Sequence, residues 1–189
     1  SASVASYAQQ VVLKTDTVQV ACGSTDTVLI PVSVLNFNNL GGIQFTLEWD
    51  VTKMKYIHIQ DFNPLMEAGF VGMDTTTNLP GGQFTFSWLD GNGLTIPNTG
   101  NNILFKVAMV RLGGAFTPLA FDNTATPNPP PTAINVADAN FSALPYTLSA
   151  GGIKTIDPVL PTVTCPANLT VNASGPAVVN NIASTPFDA

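Results

Sequence analysis

The stretch Ile30-Pro-Val-Ser-Val-Leu-Asn-Phe-Asn-Asn-Leu-Gly-Gly-Ile-Gln-Phe-Thr-Leu-Glu-Trp-Asp50 decides the fold. Two alternating runs flank a polar knot. In the second run Ile43, Phe45, Leu47 and Trp49 share one face, and Gln44, Thr46 and Glu48 share the other, because successive side chains of a strand point to opposite faces. A period of two rather than 3.6 marks β structure. The knot Asn38-Asn-Leu-Gly-Gly42 predicts a structural turn, with Asn and Gly supplying the positive φ that lets a chain reverse or cross.

The same alternation recurs outward from this stretch. Val18-Gln-Val20-Ala-Cys22, Val28–Val34 and Phe84-Thr-Phe86-Ser-Trp88 read as half-buried strands. Ile103–Val110 is apolar on both faces and reads as a central strand. Shorter candidates are Val11–Leu13, Lys55–Ile59, Leu119–Phe121, Ala133–Val136 and Gly152–Ile156. Pro31 places its strand at an edge, or points its missing N–H away from a neighbour. Turns are expected at Pro80–Gly82, Asp90–Gly93, Pro97–Asn101 and Gly113-Gly114. One short helical turn is expected, with Asn63 as cap, Pro64 at the first position and Gly69 as the stop. Short strands separated by turns predict an all-β, antiparallel sandwich.

Composition bounds the function. Of 189 residues, 45% are hydrophobic and 10% charged, against a usual charged share of about 25%. A sizeable core can be buried, and disorder is excluded. The net charge is −6 and the six Lys/Arg are scattered, so the basic stripe of a nucleic-acid binder is missing. Anionic membranes are poor partners for the same reason. No apolar run approaches the ~20 residues of a bilayer span. The chain starts at Ser1 rather than Met, as a processed or excerpted chain does, and Ser6-Tyr7-Ala8 ends in small residues like a signal-peptide tail. Low charge, Thr/Asn/Gly richness and Pro-rich turns fit a secreted β-protein.

The sequence carries no recognisable catalytic constellation. His58 is the one histidine, and a zinc site or a Ser–His–Asp set would have to rest on it alone, so neither is expected. Glu48 and Asp50 are two apart, but Glu48 reads as solvated and Asp50 as starting a turn, so no glycosidase pair is expected. Asp90-Gly-Asn-Gly93 offers oxygens to Ca²⁺ but lacks the further spaced acids of a calcium loop, and a hairpin turn explains it. No cofactor is therefore expected. Trp49 and Trp88 could form a sugar platform, yet each lies on the apolar face of its strand, which favours core packing. Tyr146 is an exposed aromatic candidate. For Cys22 and Cys165 a disulfide is one option. The face that Cys22 shares with Val18 and Val20 favours a core role for it. Asn140, Asn168 and Asn172 head N-glycosylation sequons, and Thr17, Thr27 and Thr75 follow Asp as in a bacterial O-glycosylation motif.

Val28–Val34, Asn36-Phe-Asn-Asn-Leu-Gly-Gly42 and Phe45–Asp50 together resemble the opening of a cohesin module. Asn102–Met109, Phe116-Thr-Pro-Leu and the closing Gly151-Gly-Ile153-Lys-Thr are similar to that family's later strands. The resemblance covers about residues 11–156. It implies a jelly-roll sandwich related to carbohydrate-binding modules. The best-known cohesins bind dockerin modules on one sheet face, and others lie in large bacterial surface proteins. Gln44, Thr46 and Glu48 fall on the strand corresponding to part of that face, as a recognition surface or as ordinary solvated sheet.

After a Pro-rich linker at 157–161, Leu160-Pro-Thr-Val-Thr-Cys-Pro-Ala-Asn-Leu-Thr-Val171 resembles the start of a hyalin repeat, an immunoglobulin-like extracellular module. The partner that this family implies for Cys165 would follow a segment matching Pro186-Phe-Asp-Ala189, which implies an excerpt of a longer protein. Four parts are thus expected: a tail at 1–10, the sandwich at 11–156, the linker, and a partial hyalin-like segment at 162–189 that forms short extra strands.

The expected function is a non-catalytic binding or structural module of a secreted or cell-surface, adhesin-type bacterial protein. Its partner would be another protein module or a neighbouring subunit. Two alternatives are a carbohydrate-binding module that takes polysaccharide and a subunit of an extracellular filament joined by strand donation from a terminal tail.

Overall fold

The computed structural model describes residues 10–74, 79–98, 102–123 and 133–157. They fall in the first of the chain's two units, Ser1–Pro158, the second being Val159–Ala189. Twelve strands appear: β1 (Val11–Thr15), β2 (Thr17–Ala21), β3 (Thr27–Leu35), β4 (Phe37–Glu48), β5 (Met54–Gln60), β6 (Phe70–Asp74), β7 (Gln83–Ile96), β8 (Ile103–Arg111), β9 (Phe116–Phe121), β10 (Asn135–Asp138), β11 (Tyr146–Ser149) and β12 (Gly151–Ile156). One sheet has five strands in the order β11-β1-β3-β8-β5; the other has seven, β2-β12-β9-β4-β7-β6 with β10 also on β4. Pairing is antiparallel except where terminal strands meet, β1 beside β11 and β2 beside β12. The architecture is the expected all-β jelly-roll sandwich.

The inward rows of both sheets fill the core. Phe45, Phe84, Phe86 and Phe105 are fully buried, as are Ile43, Leu47 and Val107 or nearly so. β8 occupies an interior position between β3 and β5, as its two apolar faces require. β3 is interior too, so Pro31 does not mark an edge. Its carbonyl accepts from the Asp16 N–H at 2.9 Å. In an antiparallel strand a residue's N and O point the same way. The proline nitrogen therefore faces away from β8, where no donor is needed.

Several turns resolve differently. The Asn38–Gly42 knot lies inside β4, and the bend falls at Asn36, with φ 58°. The chain there crosses from the five-stranded to the seven-stranded sheet rather than folding into a hairpin. Asn39 also has positive φ, at 51°, but Gly41 and Gly42 do not. Gly41 serves close approach instead: a Cβ there would stand 2.5 Å from the Asp138 carbonyl oxygen. Asp90–Gly93 is not a hairpin turn either. It is a bulge within β7, because Leu89 pairs with Gly42 and Leu94 with Leu40. Cys22 is exposed, just past the end of β2, so the expected core role is wrong. Tyr146 is half-buried in β11 against the core rather than exposed. Cys165 lies outside the described residues.

The two lateral sides of the sandwich close by different means. On one, β1 runs into β2 and β11 into β12, each strand pair switching sheets at a shared corner. On the other, the expected turn forms as a 3-10 helix, Pro64–Ala68. Asn63 Oδ1 accepts from the Leu65 N–H at 3.1 Å, and its Nδ2 donates to the Ile103 carbonyl at 2.9 Å. Trp88 Nε1 donates to the Met66 carbonyl at 3.1 Å. These bonds pin the turn across the gap between β5 and β6.

Candidate functional site

Register assembles an outward face on β10, β4 and β7. Gln44 lies opposite Ser87 and Asn135, Thr46 opposite Thr85, and Glu48 opposite Gln83. The row expected to be uniformly outward is not uniformly solvated. Thr46 is fully buried, and its Oγ1 lies 3.0 Å from Thr85 Oγ1, a cross-strand threonine pair. Gln44 is half-buried and its Nε2 donates to the Ala133 carbonyl at 3.3 Å.

Glu48 is half-buried near the end of β4. Burial pushes its carboxyl above the ordinary glutamate value, the nearby Asp122 charge adds to this, and a hydrogen bond from Gln83 opposes it. Gln83 Nε2 also donates to Asp122 Oδ2 at 3.2 Å, so one amide serves two carboxylates. The sign of the linkage follows. The folded state holds the Glu48 proton more tightly than the unfolded chain, so stability falls as pH rises from the unfolded value through the raised folded value. Glu48→Gln is therefore expected to raise the thermal midpoint at neutral pH, with the gain shrinking below about pH 4. Thermal unfolding of both proteins across pH reads this, and a gain independent of pH would contradict it.

At the other end of the face lies a shallow depression of about 170 Å³, lined by Gly42, Gln44, Ser87, Leu89, Asn135 and Phe141 among others. Leu89 is 50% exposed and Phe141 58%. Leu89 follows the inward Trp88 and so points out. Phe141 is lifted by the loop after β10, where it takes a positive φ of 61°. Asp138 shapes that loop: its Oδ1 accepts from the N–H groups of Asn140 and Ser142, each at 2.9 Å. Neither apolar residue was among the sequence candidates. The parity of Leu89 was the available signal for it; Phe141 had none.

The remaining candidates are dispersed. His58 is exposed on β5, its Nε2 2.8 Å from Gln60 Oε1. Asp50 accepts from the Thr52 N–H and hydroxyl and from Lys53, and the Thr52 bonds foremost hold its carboxyl below the ordinary aspartate value. It is thus the turn residue expected. Among the described residues no group of three or more His, Cys, Asp or Glu is placed to hold a metal. Trp49 and Trp88 are both buried in the core, Trp49 stacked on Tyr56 at 6.0 Å, so they form no sugar platform. Asn140, Thr17 and Thr27 are exposed. Thr75, Asn168 and Asn172 lie outside the described residues. No helix among them is long and apolar enough to cross a membrane.

The chain is thus a two-sheet jelly roll with a shallow depression on one outer face. Cohesins are among the solved structures similar to this fold. A non-cellulosomal cohesin from the archaeon Archaeoglobus fulgidus matches with TM-score 0.58 at 13% identity, over 78% of this chain and 92% of that one. The sixth cohesin of Acetivibrio cellulolyticus scaffoldin B, solved with a Cel5 dockerin variant, matches with TM-score 0.58 at 15% identity, over 78% and 99%. A type I cohesin–dockerin complex from Clostridium thermocellum matches with TM-score 0.58 at 16% identity, over 78% and 99%. No family model and no curated protein matches the sequence.

Proposed function

We propose that this chain is a non-catalytic module that binds another protein through the outer face of β10, β4 and β7, within a large secreted or cell-surface bacterial protein. The observation that carries this is the placing of Leu89 and Phe141. Both are more than half or about half exposed around one depression, on a face whose other side chains are small, polar or hydrogen-bonded. Exposed large apolar groups that converge on a hollow mark a contact surface, whereas single scattered ones do not. The cohesin fold supports the same conclusion, since two of the similar cohesins were solved with a dockerin. The hyalin-like segment after the linker suits an extracellular setting.

Capture from the extracellular fraction of the producing organism tests the face. The wild-type module should retain a partner that Leu89→Arg combined with Phe141→Ser fails to retain, a loss of at least about ten-fold, as expected when a central apolar anchor is removed. Equal retention by both proteins would remove this face from the function.

A further inference from the structure

β5 and β6 are the two sheet edges that flank the 3-10 turn, and they are finished differently. β5 pairs with β8 alone, its register shifts between Tyr56 and His58, and it carries Lys55. A bulge and a lysine are devices that keep an edge strand from pairing with another chain. β6, Phe70-Val-Gly-Met-Asp74, pairs with β7 alone, in unbroken register from Phe70 opposite Leu89 to Asp74 opposite Thr85. It has no proline, no lysine and no bulge, and its one acidic residue is its last. Among the described residues no strand covers its other side.

The core is also left open beside this edge. Val71 lies opposite Trp88 and Met73 opposite Phe86, and both of those rings are fully buried. Opposed residues of a ladder share a face, so Val71 and Met73 belong to the inward row. Met73 is nonetheless 41% exposed, in the row that elsewhere fills the core. With Phe62, Asn63, Met66, Glu67 and Val71 it lines an open hollow of about 340 Å³. An unpaired strand edge and an uncovered inward row at one place call for a further strand that brings apolar side chains on alternate residues.

We propose that this strand is β6 of a second copy, paired antiparallel across a two-fold axis through Gly72. That register sets Val71 opposite the partner's Met73, Met73 opposite the partner's Val71, and Gly72 opposite the partner's Gly72. Each opposed pair has the same parity along the strand, so the N–H and C=O groups that point away from β7 in one copy meet those of the other. The two inward rows meet on one side of the joined sheet, and each Met73 is covered by the other copy's Val71. Phe70 stands opposite the partner's Asp74, so no two carboxylates are set directly against each other. β6 thus supplies to itself the complementary row that a strand of another sequence would have to bring. The contact is the same patch on both copies, so it closes at two. The axis runs normal to the sheet, and both β10–β4–β7 faces point the same way, which would make the proposed contact face bivalent. The pairing itself does not depend on that reading.

Sedimentation velocity of the full chain from about 5 to about 500 μM tests this, since a dimer grows by mass action. The mass should rise towards two copies and stop there. Met73→Lys places a charge on the edge and should weaken the dimer at least about ten-fold. Leu112→Lys, at an apolar residue that is 54% exposed and lies outside the edge and its hollow, should leave it unchanged. Hydrogen exchange on the unmodified chain locates the contact without any variant. Between the dilute and concentrated ends, amides of Val71, Gly72 and Met73 should gain protection, and those of β5 should not. A monomer at every concentration overturns the proposal. So does a dimer whose added protection lies away from β6, or one that both lysine variants weaken equally. Loss of the dimer with capture still dependent on Leu89 removes the pairing and leaves the contact face standing.

Discussion

Phe105→Ala is expected to destabilise the sandwich by roughly 3–5 kcal/mol, the range for truncating a buried aromatic. Phe105 is fully buried on β8 and joins the two sheets. Its ring lies 4.9 Å from Phe86, 5.8 Å from Phe84 and 6.3 Å from Phe45, all on the opposite sheet, and 5.6 Å from Phe62 ahead of the 3-10 turn. Removing it opens a void lined by four other rings. Three of those rings, Phe45, Phe84 and Phe86, are fixed by strand register and cannot collapse into the space, so the cavity term persists beside the lost transfer energy. A domain of this size holds about 5–15 kcal/mol in total, so the loss is a large share. Denaturant unfolding checks it through a lower midpoint with an unchanged slope. If the alanine variant cannot be purified, Phe105→Leu should show a loss of about 1–2 kcal/mol. A loss under about 0.5 kcal/mol, the level of a surface change, would refute the role given to this ring.

What could be read in advance follows a physical boundary. The alternation of Ile43, Phe45 and Leu47 names an inward face, because a one-residue slip would expose the whole row. The same parity sends Thr46 outward, yet Thr46 is fully buried. Parity says which way a side chain points and nothing about what lies over it. Asn38–Gly42 and Asp90–Gly93 have the composition of turns, but they face each other across the β4–β7 ladder as irregularities in two long strands. Local preference there yields to tertiary pairing. β6 and β11 are not legible in the sequence because Phe70-Val-Gly-Met-Asp74 has no clean period and Tyr146–Ser149 has four residues. The alternation of β2 points Cys22 inward only if the strand continues to it; the strand stops at Ala21 and the chain turns through Gly23 at φ 80°. The apolar hollow was half legible, through Leu89. Phe141 reaches it by a positive φ that its own side chain disfavours and that only the Asp138-capped loop imposes.

Gly151→Ala is expected to destabilise the protein by about 3 kcal/mol, the upper end for overpacking a close-packed site. The reason lies in the corner where β1 passes to β2 and β11 to β12. A Cβ on Gly151 would overlap the backbone of Thr15 and Asp16, so no flexible side chain can move aside. The corner is also tied by buried polar bonds. Gly151 N–H donates to Thr15 Oγ1 at 2.7 Å, and that hydroxyl donates to the Leu119 carbonyl at 2.7 Å. Asp16 O accepts from the Gly152 N–H at 3.0 Å. Pushing the two segments apart would leave the buried Gly151 N–H without its acceptor, a loss of about 1–3 kcal/mol in its own right. Gly91→Ala supplies the control, since a Cβ there meets nothing within 4 Å and its backbone is not left-handed, so its effect should stay within about 0.5 kcal/mol. Thermal unfolding of the two variants gives the contrast. Hydrogen exchange locates it: amides of Val18, Val20 and Ile153, where β2 and β12 pair, should lose protection in Gly151→Ala before those of β4 and β7. Matching midpoints for the two alanine variants would mean that the terminal strands tolerate separation at this corner, and the parallel pairs would then be secured by the β1–β3 and β9–β12 ladders instead.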